Sequence, residues 1–276
     1  MLFAPGRADF YEKHLSVFRE WHAAGWHITS LDWRGQALSG RLGADPVTGH
    51  VGDFAPWVAD LTAFWEEWRN HAPGPLVAVG HSMGGHILLR AAAERRVLPD
   101  AIVLVAPMLG LNPGWVPARL LHPISRAIER LRGTSRPAWK WEQGPLPLSN
   151  LRMALLTHDE ERFQDEDWWY GQRPDLAVGP PSWGWIAAAL SSIREIERPG
   201  MLEQLELPVL LLGTSADRLV SWRAIARAAA RLPHAELVAF GPEARHEILR
   251  EVDPVRTRAV GAIAEFLDRV APATSS

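Results

Sequence analysis

The chain has 276 residues, 47% hydrophobic and 22% charged, with 32 acidic against 29 basic residues for a net charge of -3. That composition excludes a disordered tail, a collagen-like fibre and a coiled coil, and it lacks the basic excess that non-specific nucleic-acid binding needs. The absence of cysteine excludes disulfides, zinc–thiolate and iron–sulfur centres and a thiol nucleophile. No apolar run reaches membrane-spanning length or reads as a leader, so the sequence is read as soluble and cytoplasmic.

Short apolar runs alternate with amphipathic stretches, the pattern of a parallel sheet with crossover helices. Strands are expected at residues 2–4, 27–31, 76–79, 101–105, 209–212 and 236–240, and helices at 10–24, 54–70, 84–96, 221–231 and 254–270. Gly25 is expected to end the first helix and Asp53 to cap the second. Leu76-Val77-Ala78-Val79 lacks polar alternation, as in a strand covered on both faces.

The rhythm breaks between Met108 and Leu207, a stretch far too long for a plain connection. A mostly helical insertion is expected there, with a core of residues 1–107 and 208–276 and a cap of residues 108–207. Seven of the 14 tryptophans fall in it, divided in expectation between the cap's own small core and the lining of a bulky apolar site. Within it, residues 117–132 have an amphipathic helical pattern: Leu120, Leu121, Ile124, Ile128 and Leu131 share a face, and Arg119, Arg126, Arg130 and Arg132 take most of the rest. A solvated cap helix is the plainer reading; the other is peripheral contact with an anionic inner-membrane surface.

Gly80-His81-Ser82-Met83-Gly84 fits G-x-S-x-G between a strand and a helix. So sharp a turn strains the serine backbone, and glycines at 80 and 84 remove side chains that would crowd it. A serine hydroxyl is a poor nucleophile until a base takes its proton, and the base needs an orienting carboxylate. The expected chain order is serine, acid, histidine, each at the C-terminal end of a strand. Asp217 follows strand 209–212 and His246 follows strand 236–240. Among the competing histidines, His14, His22, His27, His50 and His71 read mostly as helix or loop surface, and His81 and His86 as local packing. His122 and His158 belong to the insertion, and His234 precedes the last strand. The candidate site is therefore Ser82, Asp217 and His246, the plainer role for Asp217 being to cap the loop before helix 221–231. The backbone N–H groups of Met83 and Arg7 are the expected oxyanion donors. For the Arg7 side chain, a surface ion pair is preferred over substrate contact.

Further stretches carry a resemblance. They are Ala4-Pro5-Gly6-Arg7 with Phe10-Tyr11-Glu12-Lys13, Leu31-Asp32-Trp33-Arg34-Gly35-Gln36-Ala37-Leu38-Ser39-Gly40, and the serine motif extended through Gly85-His86. Leu156-Thr157-His158-Asp159 with Arg162-Phe163, Gly184-Trp185 and Ala244-Arg245-His246-Glu247 complete the set. Together they resemble the α/β-hydrolase superfamily, and more narrowly its lysophospholipase L2 and monoacylglycerol lipase branch. The resemblance implies an α/β-hydrolase fold with a helical cap, and a serine esterase that cleaves lysophospholipids or monoacylglycerols through an acyl-serine. A small-ester hydrolase, peptidase or acyltransferase on the same triad is the alternative, and a non-catalytic binding protein the third reading. No cofactor and no metal is implied, since Walker, dinucleotide-glycine and H-E-x-x-H patterns are absent. Where the family has glycine this chain has Ala37. Family members also carry two antiparallel edge strands ahead of the strand at 2–4. The resemblance implies that these are missing here, leaving strand 27–31 with an unpaired edge.

Overall fold

The structure is a computed structural model and describes residues 1–43, 45–112, 123–124, 126–128, 134–138 and 147–272. One sheet contains β1 (Leu2–Ala4), β2 (Thr29–Ser30), β3 (Val77–His81), β4 (Ala101–Val105), β5 (Val209–Thr214) and β6 (Ala235–Phe240), in the order β2-β1-β3-β4-β5-β6. Every neighbouring pair is parallel. Strand order reverses between β1 and β3, so the crevice past their C-terminal ends is where a sheet of this kind binds ligands. β2 pairs with β1 alone among the described residues and forms one edge.

The helices are α1 (Leu15–Ala23), α2 (Ala55–Trp68), α3 (Ser82–Ala93), α4 (Pro147–Leu156), α5 (Glu160–Gln172), α6 (Trp183–Glu197), α7 (Trp222–Arg231) and α8 (Asp253–Val270). They cover the sheet because its central strands are apolar at successive positions, and successive side chains point to opposite faces. Ala78, Ile102, Leu104 and Leu211 pack with Trp57, Leu61 and Trp65 of α2, Ile87 of α3 and Ile225 of α7. Val77, Val79, Val103 and Leu212 pack on the other face with Val17 and Trp21 of α1 and Ile263 and Phe266 of α8.

Local signals act largely as expected. Gly25 adopts φ 91° and ends α1, with the Trp26 N–H returning to the Trp21 carbonyl at 3.0 Å. Asp53 accepts the Ala55 N–H at 2.9 Å, supplying one of the acceptors α2 lacks at its start. Several boundaries differ: β2 is only Thr29–Ser30 within the expected 27–31, β5 runs on to Thr214 and α3 ends at Ala93. The expected helix 10–24 is divided into a 3-10 turn, Tyr11–His14, and α1. The reason is tertiary: Glu12, Lys13 and His14 are all buried. β3 also runs on to His81, and α3 starts at Ser82 itself.

Between β4 and β5 the named elements are α4, α5, a 3-10 turn (Pro174–Leu176) and α6. Of residues 117–132, only 123–124 and 126–128 are described, so Arg119, Arg130 and Arg132 lie outside the described residues. Trp185 is buried, with its ring 5.8 Å from that of Phe54, whereas Trp168 is exposed. Among the described residues, no helix is long and apolar enough to cross a membrane.

Ala37, where the resemblance implies a glycine, has φ 43° and is buried. It holds a backbone conformation that an L-residue adopts at a cost of about 1–2 kcal/mol. Gly84 is constrained differently, by space. A Cβ there would lie 2.1 Å from the Ala4 carbonyl oxygen and 2.4 Å from that of Pro5, both rigid backbone. Gly84→Ala is therefore expected to destabilise the fold by about 3 kcal/mol in denaturant unfolding. An unchanged midpoint would show that α3 does not press on the end of β1.

Candidate active site

Ser82 is the first residue of α3, reached from the last residue of β3, and its φ of 50° lies in the left-handed region. The turn closes because a Cβ on Gly80 would be only 2.5 Å from the Gly85 Cα, so neither position has room for a side chain. The resulting geometry lifts the serine hydroxyl out of the sheet at the β1/β3 crevice.

His246 Nε2 lies 2.9 Å from Ser82 Oγ, and His246 Nδ1 lies 2.7 Å from Asp217 Oδ2. Asp217 and His246 are buried. The two roles weighed for Asp217 coexist on its two oxygens. Oδ1 accepts the N–H groups of Leu219 and Val220 at 2.7 and 2.9 Å, while Oδ2 faces the imidazole. The loops bearing acid and histidine are tied together at Thr214, the end of β5, whose hydroxyl reaches the carbonyls of Gly241 and Ala244 at 2.8 and 3.0 Å. Burial disfavours charge on His246, but the Asp217 carboxylate and its hydrogen bond outweigh that and raise the imidazole pKa above 6.5. Burial likewise opposes charge on Asp217, yet His246 and the two N–H donors hold its pKa below the ordinary carboxylate value.

The loop after β1 lies against the serine: a Cβ on Gly6 would be 3.2 Å from Ser82 Cβ. The buried Asp9 carboxylate accepts the Gly6 N–H at 3.1 Å, and Gln36 Oε1 accepts the Ala8 N–H at 2.6 Å. Between these anchored amides, the Arg7 N–H donates to no acceptor among the described residues. Met83, second in α3, also stands where an amide has no acceptor within the helix. Two unengaged donors thus flank Ser82, as an oxyanion site requires. The Arg7 side chain corrects the expectation of a surface ion pair. It is partly buried, Nη1 donates to the Gly179 carbonyl at 2.9 Å, and the guanidinium lies 5.6 Å from the Trp185 ring centre.

The other described histidines have different partners. His81 Nδ1 lies 3.0 Å from Asp9 Oδ2, and His86 Nε2 lies 2.7 Å from Ser192 Oγ. Burial, reinforced by Arg90, pushes the His86 pKa down to about 3. His14, expected on a surface, is buried with Nε2 3.0 Å from Asp9 Oδ2. The Asp9, His14 and His81 ligand atoms all lie within 4.8 Å of one another, close enough to share a cation. Asp9 already accepts from both rings, and Lys13 Nζ supplies positive charge 3.4 Å from its other oxygen.

Sequence reasoning gave Lys13 no role of its own. Its buried ammonium bridges Asp9, Glu166 of α5 at 3.3 Å and Glu247 at 2.7 Å, and Arg250 closes on Glu247 at 2.6 Å. This network joins the loop after β1, the segment between β4 and β5, and the residue beside His246. The sequence signals were the Phe10-Tyr11-Glu12-Lys13 and Ala244-Arg245-His246-Glu247 matches and the short Asp9–Lys13 and Glu247–Arg250 spacings; the contacts of Lys13 with Glu166 and Glu247 span more than 150 residues and leave no local pattern.

A parallel sheet that brings a strained serine, a histidine and a carboxylate together at the C-terminal ends of its strands defines the α/β-hydrolase class. Residues 1–253 match the Hydrolase_4 family, described as "Serine aminopeptidase, S33", and the chain belongs to that family. It is 32% identical to lysophospholipase L2 of Escherichia coli (strain K12), over 98% of this chain and 80% of that one. It is 27% identical to monoacylglycerol lipase of Mycolicibacterium smegmatis, over 80% of this chain and 70% of that one. A crystal structure of a soluble variant of monoglyceride lipase from Saccharomyces cerevisiae shares the fold, with a TM-score of 0.72 at 19% identity over 97% of this chain and 86% of that one.

The raised His246 pKa has a defined sign. The neutral imidazole is the form that accepts a proton, so Ser82 is expected to lose reactivity as the pH falls through an apparent pKa above 6.5. Asp217→Asn is expected to move that limb to lower pH and to cut reactivity by about 10³–10⁴-fold. The rate of Ser82 phosphonylation by a fluorophosphonate, measured against pH, reads both effects. A profile flat from about pH 5 to 8 contradicts them.

Proposed function

We propose that the protein is a serine hydrolase that cleaves carboxylic esters of single-chain lipids, lysophospholipids or monoacylglycerols, through an acyl-serine intermediate. Ser82 Oγ attacks the ester carbonyl while His246 takes its proton, with Asp217 holding the imidazole tautomer and balancing the imidazolium. The Met83 and Arg7 N–H groups receive the oxyanion. The imidazolium then protonates the departing alcohol. Water, deprotonated by the same histidine, releases the fatty acid and regenerates the hydroxyl. The observation that carries this reading is the continuous chain from Ser82 through His246 to Asp217, at 2.9 and 2.7 Å. The lipid class is supported by the relatives named above.

Residues 108–207 act as a cap over the serine. In support, Trp185 of α6 packs on Phe54, and Ser192 of α6 bonds His86 of α3. An acyl tail sheltered by such a roof contributes about 0.8 kcal/mol per buried CH₂, which favours long chains. Two experiments test the reading. A fluorophosphonate probe is expected to label the protein and to fail on Ser82→Ala, and p-nitrophenyl decanoate is expected to be cleaved in preference to the acetate. Retained labelling in Ser82→Ala, or faster turnover of acetate or of an aminoacyl anilide, would refute the assignment.

The arginine-rich pattern of residues 117–132, with Arg119, Arg126, Arg130 and Arg132, supports peripheral contact with an anionic membrane. Flotation with anionic but not zwitterionic vesicles at low salt is the expected result, and failure to float with either removes the idea.

A further inference from the structure

Among the described arginines that are buried or partly buried, Arg7 stands apart. Arg250 pairs with Glu247, Arg152 with Glu166, and Arg256 with Glu20. Arg41 feels the Asp175 carboxylate without a close ion pair among the described residues, and its guanidinium donates to five backbone carbonyls. Arg7 has neither arrangement. Among the described residues no carboxylate approaches it, and its one hydrogen bond runs from Nη1 to the Gly179 carbonyl, leaving most of its five donors unused. Trp185 lies beside it, and a Cβ on Gly49 would be 3.0 Å from Nη1, so the group is held in place while remaining partly accessible. Burial, reinforced by the nearby positive charge of Arg152, pushes its pKa down to about 10, which still leaves it a cation at neutral pH. A partly buried cation with no counter-ion among the described residues is an arrangement that an anionic ligand completes.

Its position relative to the proposed chemistry suggests which anion. The Arg7 N–H is one of the two donors assigned to the ester oxygen, and the guanidinium ends the side chain of the same residue, roughly 6 Å away when extended. In a glycerol-based lysophospholipid the phosphorus lies about the same distance from the ester carbonyl, across the glycerol. One residue therefore spans both functional groups of one substrate, backbone on the carbonyl and side chain on the phosphate. Guanidinium is suited to this because its planar fork donates two parallel bonds to phosphate oxygens.

Resting on the lipid-ester reading above, we propose that the Arg7 guanidinium binds the phosphodiester of a lysophospholipid headgroup and makes the site prefer anionic single-chain lipids to neutral monoacylglycerols with the same acyl chain. Arg7 is thus a specificity-determining residue as well as an oxyanion donor. A neutral glycerol headgroup leaves the guanidinium unpaired, and that loss is what discriminates.

The test compares 1-oleoyl lysophosphatidylglycerol with 1-oleoylglycerol, presented to the full chain in the same neutral detergent micelles. The wild type is expected to favour the phosphodiester by at least tenfold in kcat/KM, and the preference is expected to weaken as salt is raised. Arg7→Gln is expected to reduce the ratio of the two kcat/KM values by about ten- to a hundredfold, chiefly through KM for the phosphodiester, with Arg7→Lys recovering part of it. The ratio decides, because it cancels any general loss of turnover in the variant. An equal or reversed preference in the wild type, a preference indifferent to salt, or an unchanged ratio in Arg7→Gln each overturns the proposal. The wild-type arms need no variant and stand if Arg7→Gln does not fold. The two levels of failure are distinct. A protein that cleaves both lipids without preference loses only the role of Arg7, whereas one that is labelled at Ser82 but cleaves neither lipid loses the lipid reading and this proposal with it.

Discussion

The structure depends on one unfavourable backbone conformation. Ser82 is held at φ 50°, where an L-residue adds strain, at the point where β3 becomes α3. It persists because the surroundings over-determine it: Gly80 meets Gly85 backbone to backbone, and Gly84 lies against the carbonyls that end β1. Those contacts in turn place the loop after β1, which carries Arg7, beside the serine, while Met83 follows it in the chain. Side-chain chemistry at the site follows from a packing constraint between three glycines and two strands.

The second requirement is electrostatic. Bringing His246 within reach of Ser82 means burying an imidazole beside a carboxylate, with Glu247 next in the chain. The Asp217 charge faces His246 and two amides, and the Glu247 charge faces Lys13 and Arg250, so every carboxylate here has a named partner. Because Lys13 also meets Glu166 of α5, the helical segment between β4 and β5 is coupled through a buried ion network to the loop that carries the histidine. Such networks are sensitive to the loss of any member, since the remaining charges stay desolvated.

Much of this could be read in advance. Strand positions were legible because the central strands are apolar at successive residues for most of their length, and the order of serine, acid and histidine because each follows a strand end. Errors and omissions fall where long-range contacts overrule local pattern. Residues 10–24 have one continuous helical periodicity, yet Glu12, Lys13 and His14 turn inward and the chain takes a 3-10 turn before α1. His14 looks like any surface histidine in sequence but is buried on Asp9. The Arg7 side chain, with no nearby acid in sequence to argue either way, turned out to have no ion-pair partner among the described residues.

What the sequence determined by itself was the set of local conformations. Glycine spacing around Ser82, apolar runs of strand length, and capping residues such as Asp53 and Gly25 act over a few residues and so leave a readable trace. What only the tertiary structure decided was which distant groups meet. The Ser82–His246 and His246–Asp217 hydrogen bonds, the Lys13 network and the lack of a counter-charge to Arg7 among the described residues are all products of the fold, which brings together groups separated by up to 234 residues. Pairing energies of that kind depend on distance and burial in the folded chain, and neither quantity is written in the order of the residues.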